Sequence, residues 1–217
     1  MPRRMKIDFV SDVSCPWCVI GLRGLEHALE ATRDLIAAEV HFQPFELNPD
    51  MAPEGEDVVA HIQRKYGSSP EQAAANREMI RKRAAALGFA MPRLDEERRI
   101  YNTFDAHRLI HSAEAQGKQA ALKHALFRGY FSDGRDPSNG ETLVALAAEA
   151  GLDAAAAREV LESGRYAAEV REAEHLWQAR GIHAVPAIVI DDTYLIQGGQ
   201  PPEAFEQALR QIAAEAA

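Results

Sequence analysis

The spacing of apolar residues changes twice within the first 50 positions. Residues 6–11 place Ile7 and Phe9 at alternate positions, which predicts a short strand. From Pro16 onward the apolar residues recur at helical spacing, and Pro suits the first turn of a helix because its missing N–H would be unpaired there. A second strand is predicted at about 39–47, so the chain begins in the order strand, helix, strand.

The middle of the chain has helical composition and no convincing strand pattern. Ala, Glu, Arg and Leu dominate it, and Gly and Pro divide it into separate helices. The predicted helices cover about 56–66, 70–87, 96–116, 119–131, 139–150, 153–162 and 166–180. Four of them are expected to stop at glycines, namely Gly88, Gly117, Gly151 and Gly181. Asp153 is expected to cap the start of one helix.

Strand patterns return only near the end of the sequence. A β-branched run at 187–190, a turn at Asp191-Asp192 and a second run at 194–196 predict a hairpin, which a helix at 201–215 follows. Strands at both ends can share one sheet only if the helical block is inserted into the α/β unit that they form. The order of segments therefore predicts an α/β unit with a helical insertion.

Composition and charge exclude several classes of partner. The 217 residues are 47% hydrophobic and 26% charged, as in ordinary globular proteins, and the formal net charge is -9. An acidic chain lacks the basic surface that nucleic acid or an anionic membrane requires, so neither is expected as a partner. No targeting segment or membrane-spanning run is evident, which predicts a cytoplasmic protein, where structural disulfides are rare.

The two cysteines are the strongest candidates for chemistry. Cys15 and Cys18 stand at Cys-x-x-Cys spacing, and a bridge between them would close only a short loop, worth about 2 kcal/mol on the chain-entropy model. At a helix start the positive end of the helix dipole favours a thiolate at Cys15, and residues three apart share one helix face. Cys15 is therefore the predicted attacking thiolate, and Cys18 the predicted resolving thiol.

Two other interpretations of this pair remain open. A structural zinc site needs four ligands, and the nearest histidine pair, His107 and His111, is four residues apart on a predicted helix. We therefore expect no metal. The other alternative is an inert pair of apolar thiols.

Val185-Pro186 precedes the final hairpin, and from the residues alone Pro186 either opens the strand in trans or follows a cis bond.

Several motifs together resemble one family. These are Cys15-Pro16-Trp17-Cys18, the segment from Asn102 to Arg108, the segment from Ala125 to Phe131, Gly181-Ile182-x-x-Val185-Pro186, and the segment from Gly198 to Pro202. Their combination resembles the DsbA-like thioredoxin-fold oxidoreductases, in particular the FrnE-like branch. The likeness extends over nearly the whole chain.

The resemblance implies both a fold and a site. The fold is an α/β thioredoxin-like fold with a large all-helical domain inserted after the first βαβ unit. Its thioredoxin-like domain would comprise 1–50 and 181–217, and its inserted domain 51–180. Pro186 would be cis and face the cysteines, and Val185 would offer its backbone to the substrate like an added strand. The implied substrate-binding residues are Pro16, Trp17, Val185, Pro186, Asn102 and His107, the last two on one helix bordering the groove.

The resemblance also limits the expected cofactors and partners. It implies a redox-active disulfide, no other cofactor, and thiol or disulfide substrates that are proteins or small molecules. Glutathione is a candidate co-substrate, and a homodimer is compatible with the family. One alternative function is a glutathione-dependent isomerase or transferase of the 2-hydroxychromene-2-carboxylate isomerase or kappa type, in which serine replaces the first cysteine. Another is a redox-switched binding module without turnover.

Overall fold

A computed structural model describes residues 2–215 as a four-stranded sheet with nine α-helices. The strands of this sheet are β1 (Arg3–Ser11), β2 (Ile36–Pro44), β5 (Ala187–Ile190) and β6 (Tyr194–Gln197). The helices are α1 (Pro16–Ala31), α2 (Val58–Tyr66), α3 (Pro70–Ala86), α4 (Phe104–Ala113), α5 (Gln119–Phe131), α6 (Gly140–Glu149), α7 (Ala154–Ser163), α8 (Ala167–Ala179) and α9 (Pro202–Glu215). A short 3₁₀ helix, Glu114–Gln116, follows α4.

The sheet joins the two ends of the chain in the order β2-β1-β5-β6. Strands β1 and β2 are parallel and are connected by α1, whereas β5 is antiparallel to β1, and β6 to β5. Helices α1 and α9 pack together. All of the helices from α2 to α8 lie between β2 and β5 in sequence, which confirms the predicted α/β fold with a helical insertion.

The hydrophobic core does not stop at the edge of the sheet region. One cluster of buried residues includes Phe9 of β1 and Leu22 of α1 together with Leu109, Phe127 and Leu146 from three helices of the insertion. A smaller cluster surrounds Trp177 and Ile182. The insertion therefore shares its main core with the sheet region, and the predicted boundaries at 50 and 180 remain predictions.

The predicted helix stops are correct, and each has a conformational reason. Gly88, Gly117, Gly151 and Gly181 all have φ between 62° and 85°, a region that only glycine adopts at little cost. Asp153 caps α7 as expected, because its Oδ1 accepts a hydrogen bond from Ala156 N at 2.7 Å.

The second strand lies three residues earlier than predicted, at Ile36–Pro44 instead of 39–47. Its parallel register pairs Arg3 with Ile36 and Ser11 with Pro44. Leu47, which the prediction placed in the strand, leaves the sheet, and its N–H donates to Asp12 Oδ2 at 2.7 Å. A hydrogen bond to a side chain thus replaces the strand ladder here.

Two expectations about the insertion are wrong. The segment was predicted to lack strands, but β3 (Glu56–Asp57) and β4 (Arg99–Ile100) form a two-stranded antiparallel sheet. The helix predicted at 96–116 begins only at Phe104, because β4 occupies its first part and Asn102 Oδ1 accepts the Phe104 N–H at 2.9 Å. Asn102 consequently lies before α4 and not in it.

Candidate active site

Cys15 and Cys18 occupy the start of α1, as the sequence predicts. Cys15 precedes the helix in an extended conformation, with φ −90° and ψ 112°, and Pro16 is the first helical residue. The Cys18 N–H donates to the Cys15 carbonyl at 3.1 Å, so the helix turns immediately after Cys15. Both cysteines are free thiols. This is the placement on which separate attacking and resolving roles depend.

Cys15 is more enclosed than an attacking thiol was expected to be. Its side chain is 4% exposed and that of Cys18 is 0% exposed. The Cys15 Sγ lies 3.8 Å from the carbonyl oxygen of Val185, to which it donates a weak hydrogen bond. Val185 therefore accounts for part of the cover over Cys15.

Pro186 lies against α1 on the same side. The Val185–Pro186 peptide bond is cis, as the resemblance implied. A Cβ atom added at Gly21 would be 2.8 Å from Pro186 Cγ, so the absence of a side chain at Gly21 lets the proline ring pack on the helix. Gly198 N donates to the Pro186 carbonyl at 2.8 Å and joins this segment to the end of β6.

Asp12 organises the loop that carries Cys15, and sequence reasoning missed it. Its buried carboxylate accepts hydrogen bonds from Ser14 N at 3.1 Å, Ser14 Oγ at 3.0 Å and Leu47 N at 2.7 Å. Burial opposes ionisation, but His107 and the Leu47 and Ser14 N–H groups outweigh it, so the pKa of Asp12 is lowered. The sequence signal was available: an Asp two residues before a Ser favours this kind of turn.

His107 and Asn102 both make contacts within the protein. His107 is 2% exposed, and its Nε2 is 3.8 Å from Asp12 Oδ1. Asn102 Nδ2 donates to Glu46 Oε1 at 3.2 Å and to the Pro49 carbonyl at 3.3 Å. Asn102 thereby ties the segment before α4 to the loop that follows β2.

Glu46 belongs to a small ionic cluster between that loop and α8. Arg171 donates to Glu46 Oε2 and also, at 2.7 Å, to Glu174 Oε2. Burial raises the pKa of both Glu46 and Glu174, although Arg171 acts against this effect. The cluster holds α8 against the loop that follows β2.

Lys123 is the second residue that sequence reasoning missed. It lies on α5 of the insertion and is 1% exposed. Burial lowers the pKa of Lys123 to about 8, while Cys18, Asp12 and Cys15 act to raise it. For Cys18, burial and the adjacent Cys15 sulfur raise the pKa well above its usual value, whereas Lys123 acts to lower it. Lys123 is four residues before Phe127 and shares its helix face. A charged residue on an otherwise apolar helix face was the signal in the sequence that could have identified it.

Two aromatic residues mark the rim of the site. Trp17, in the first turn of α1, is partly exposed, and the Arg83 guanidinium carbon lies 5.3 Å from its ring centroid. Tyr66, at the end of α2, is 58% exposed. Partial burial, with a smaller contribution from Cys15, raises the pKa of Tyr66. Elements of the insertion therefore flank the cysteine motif.

Two kinds of structural feature are absent from residues 2–215. No three His, Cys, Asp or Glu side chains in this range come together as a metal site would require. No helix in the same range has both the length and the apolar character needed to cross a bilayer. His111, the other histidine of the predicted pair, packs against Tyr166 with ring centroids 5.1 Å apart and the ring planes tilted by 55°.

Comparison with known proteins supports the family resemblance. The model of the DSBA-like thioredoxin domain matches residues 6–210. A probable DsbA oxidoreductase from Streptomyces coelicolor has 41% sequence identity and a TM-score of 0.90, over 98% of this chain and 91% of that one. The uncharacterized protein YwbO of Bacillus subtilis is 28% identical over 204 residues, which is 94% of each chain.

More distant structures share the fold. The cytosolic disulfide reductase DsbM from Pseudomonas aeruginosa, solved with GSH, has 18% identity and a TM-score of 0.59, over 95% of this chain and 98% of that one. A 2-hydroxychromene-2-carboxylate isomerase has 17% identity and a TM-score of 0.68, over 97% of each chain. The match of the family model over nearly the whole chain is decisive, and the chain belongs to the DSBA-like thioredoxin domain family.

Proposed function

We propose that this protein is a thiol–disulfide oxidoreductase whose redox pair is Cys15 and Cys18. The observation that carries the proposal is the position of Cys15 directly before α1, with its Sγ 3.8 Å from the Val185 carbonyl and with Cys18 in the first turn of the helix. The dipole of α1 favours a thiolate at Cys15. Cys18 is close in sequence and on the same helical turn, as a resolving thiol must be.

The proposed cycle has two exchange steps. The Cys15 thiolate attacks one sulfur of a substrate disulfide, the substrate S–S bond breaks, and the first substrate thiolate leaves and takes up a proton. Cys18, as a thiolate, then attacks Cys15 Sγ in the mixed disulfide, and the second substrate thiolate leaves and is protonated. The substrate gains two electrons and two protons, and the protein gains the Cys15–Cys18 disulfide. The reverse sequence oxidises a dithiol.

The substrates in this proposal are disulfides or thiols of proteins or small molecules. Val185 would pair its backbone with an extended substrate segment, and Pro16, Trp17 and Pro186 would line the contact. Asn102 and His107 complete the proposed substrate-binding set. Asn102 contacts Glu46, and His107 lies beside Asp12. The glutathione complex of DsbM makes glutathione the small thiol to test first as a co-substrate.

Reduction of insulin and of a glutathione mixed disulfide tests the proposal. Wild-type protein should turn over at least one of them, Cys15→Ser should fall to background, and Cys18→Ser should stop after one turnover with substrate attached to Cys15. Circular dichroism of both variants controls for folding. Full turnover by Cys15→Ser would refute the mechanism. Isomerase activity that survives in Cys18→Ser would instead favour a glutathione-dependent isomerase.

Two further properties belong to the same proposal. We place the protein in the cytoplasm, where fractionation of cells should find it with its cysteines reduced. We also propose a homodimer, for which light scattering coupled to size-exclusion chromatography should give twice the monomer mass. A monomer mass at all concentrations would refute the homodimer and would leave the proposed disulfide exchange unaffected.

A further inference from the structure

Arg83 is an exposed arginine of α3 whose guanidinium lies over the ring of Trp17, with its central carbon 5.3 Å from the ring centroid. Within the described range 2–215, no carboxylate oxygen lies within the 4.0 Å of its nitrogens that defines an ion pair, and no acceptor takes a hydrogen bond from it. Other arginines each contact a glutamate, as do Arg23, Arg64, Arg158 and Arg171. Arg83 therefore presents a positive charge that no contact neutralises.

The ring beneath Arg83 is held in place by other parts of the fold. A Cβ atom added at Gly199 would lie 3.1 Å from Trp17 Cε3 and 3.0 Å from the Trp17 carbonyl oxygen, so the loop after β6 packs closely on Trp17. Arg23 Nε on α1 donates to the carbonyl of Leu87, just after α3, at 3.2 Å. The ring and the helix that carries Arg83 are therefore both fixed relative to α1, which lowers the entropic cost of binding a ligand there.

Trp17 belongs to the accessible part of the cysteine motif. Cys15 and Cys18 are buried, whereas Pro16 and Trp17 between them are partly exposed. We therefore expect a substrate joined to Cys15 to pass over this exposed part of the motif, beside the Arg83 guanidinium.

The stacked geometry leaves Arg83 able to bind a second group. A guanidinium that contacts an aromatic ring with its face keeps the N–H groups of its edge, which match the two oxygens of a carboxylate. The net charge of -9 does not oppose this locally, because exposed charges more than about 10 Å apart are largely screened at 0.1 M salt. An unpaired cation beside the motif therefore favours negative groups there.

We propose that Arg83 is a specificity-determining residue that selects thiols and disulfides with a carboxylate next to the reacting sulfur, as in acidic peptides. This inference rests on the proposed function and names a substrate class for it. Arg83 forms no covalent bond and transfers no proton in this role. The inserted helical segment would thereby contribute to substrate choice through α3.

A competition between two peptides tests the inference. Cys18→Ser protein, which retains a mixed disulfide at Cys15, is mixed with equal amounts of two symmetrical peptide disulfides. Glu flanks the cysteine in one peptide and Gln in the other, and one of them carries a heavy-isotope label. Mass spectrometry then gives the ratio of the two peptides attached to Cys15.

Adding Arg83→Met should lower the Glu-to-Gln ratio about fivefold, the upper end of what an exposed ion pair contributes. Methionine keeps an apolar contact with Trp17, and comparison within one background cancels the intrinsic difference between the peptides. Adding Arg83→Glu should lower the ratio further. In the parent, 1 M salt should reduce the ratio toward that of Arg83→Met, because salt screens the exposed charge.

Arg81→Met is the matched control, since Arg81 is also exposed and lies on the same helix. Two positions correspond to about 200° around the helix axis, so Arg81 points away from Trp17, and the ratio should stay at the parent value. Equal ratios in the parent and Arg83→Met would overturn the inference, and so would an equal loss in Arg81→Met. Failure of either peptide to attach to Cys15 would instead refute the proposed function, and the inference with it.

Discussion

Gly21 and Pro186 are in contact across the site, with the proline ring seated where a side chain at position 21 would be. A Cβ on Gly21 would lie 2.8 Å from Pro186 Cγ and 3.4 Å from Pro186 Cβ. The first separation is shorter than carbon atoms tolerate, and a ring atom cannot rotate away. The position of Pro186 over α1, and hence of Val185 next to Cys15, therefore depends on a residue without a side chain.

Gly21→Ala should lower both stability and disulfide turnover. Overpacking typically costs about 1–3 kcal/mol, and the gain of about 1 kcal/mol in helix propensity offsets part of it, which leaves a net loss of about 1 kcal/mol in the free energy of unfolding. Urea denaturation and insulin reduction measure the two effects. The control is Gly140→Ala, where the added Cβ would be 4.0 Å from Leu161 Cδ1. Unchanged turnover in Gly21→Ala would show that the contact is dispensable.

Asp12→Asn should destabilise the protein in a pH-dependent manner. The folded-state pKa of Asp12 lies below its ordinary value of 3.8, so the carboxylate stabilises the fold above about pH 4, and this contribution disappears as the pH falls through the lowered pKa. At pH 7 the loss should be about 1–3 kcal/mol, the usual cost of disturbing a buried hydrogen-bonded group. Urea titrations from pH 7 downward should show the two proteins converging in acid. The exposed Asp50→Asn serves as the control, and a difference that is constant with pH would contradict the assignment.

Trp17 should report the redox state through its fluorescence. It adjoins Cys18 in sequence and is partly exposed, whereas the second tryptophan, Trp177, is 3% exposed and belongs to a different core cluster. Trp17→Phe should abolish the fluorescence change between reduced and oxidised protein, and Trp177→Phe should retain it. Titration of the wild type against glutathione buffers then gives the equilibrium constant and shows whether the protein is poised to oxidise or to reduce. A fluorescence change on oxidation that is lost in Trp177→Phe would contradict this prediction.

Asp153→Ala should weaken the insertion without altering chemistry at the site. The Asp153 side chain caps α7 through Ala156 N, and loss of such a cap costs about 1 kcal/mol. Asp153→Ser, which can still cap, should be close to the wild type. Thermal unfolding measures the stability, and turnover of all three proteins at 25 °C should agree.

The cysteine motif and the topology could be predicted because they depend on local signals. Pro16 after Cys15 marks a helix start, alternation marks β1, and the β-branched run at 187–190 marks β5. Each signal comes from neighbouring residues, and each matches the structure to within a few positions. The cis state of Pro186 came from the family likeness, since the local sequence left it open.

The missed features depend on pairings between distant residues. The two-residue strands β3 and β4 are held by pairing between Glu56 and Ile100, which no local pattern reveals. Lys123 is a charged residue on α5, and only the packed structure shows that it is buried. The turn at Asp12 was visible locally, but its bond to Leu47 was not.

The hydrophobic cluster shared by the sheet region and the insertion has a consequence for engineering. A chimera that takes α2–α8 from a relative would import a new interior surface along with them. Because Cys15 and Cys18 belong to the same cluster, such a graft would change what packs around the two cysteines even if every residue of the Cys-Pro-Trp-Cys motif stayed the same. Removing the segment would expose apolar side chains of the sheet region that it now covers.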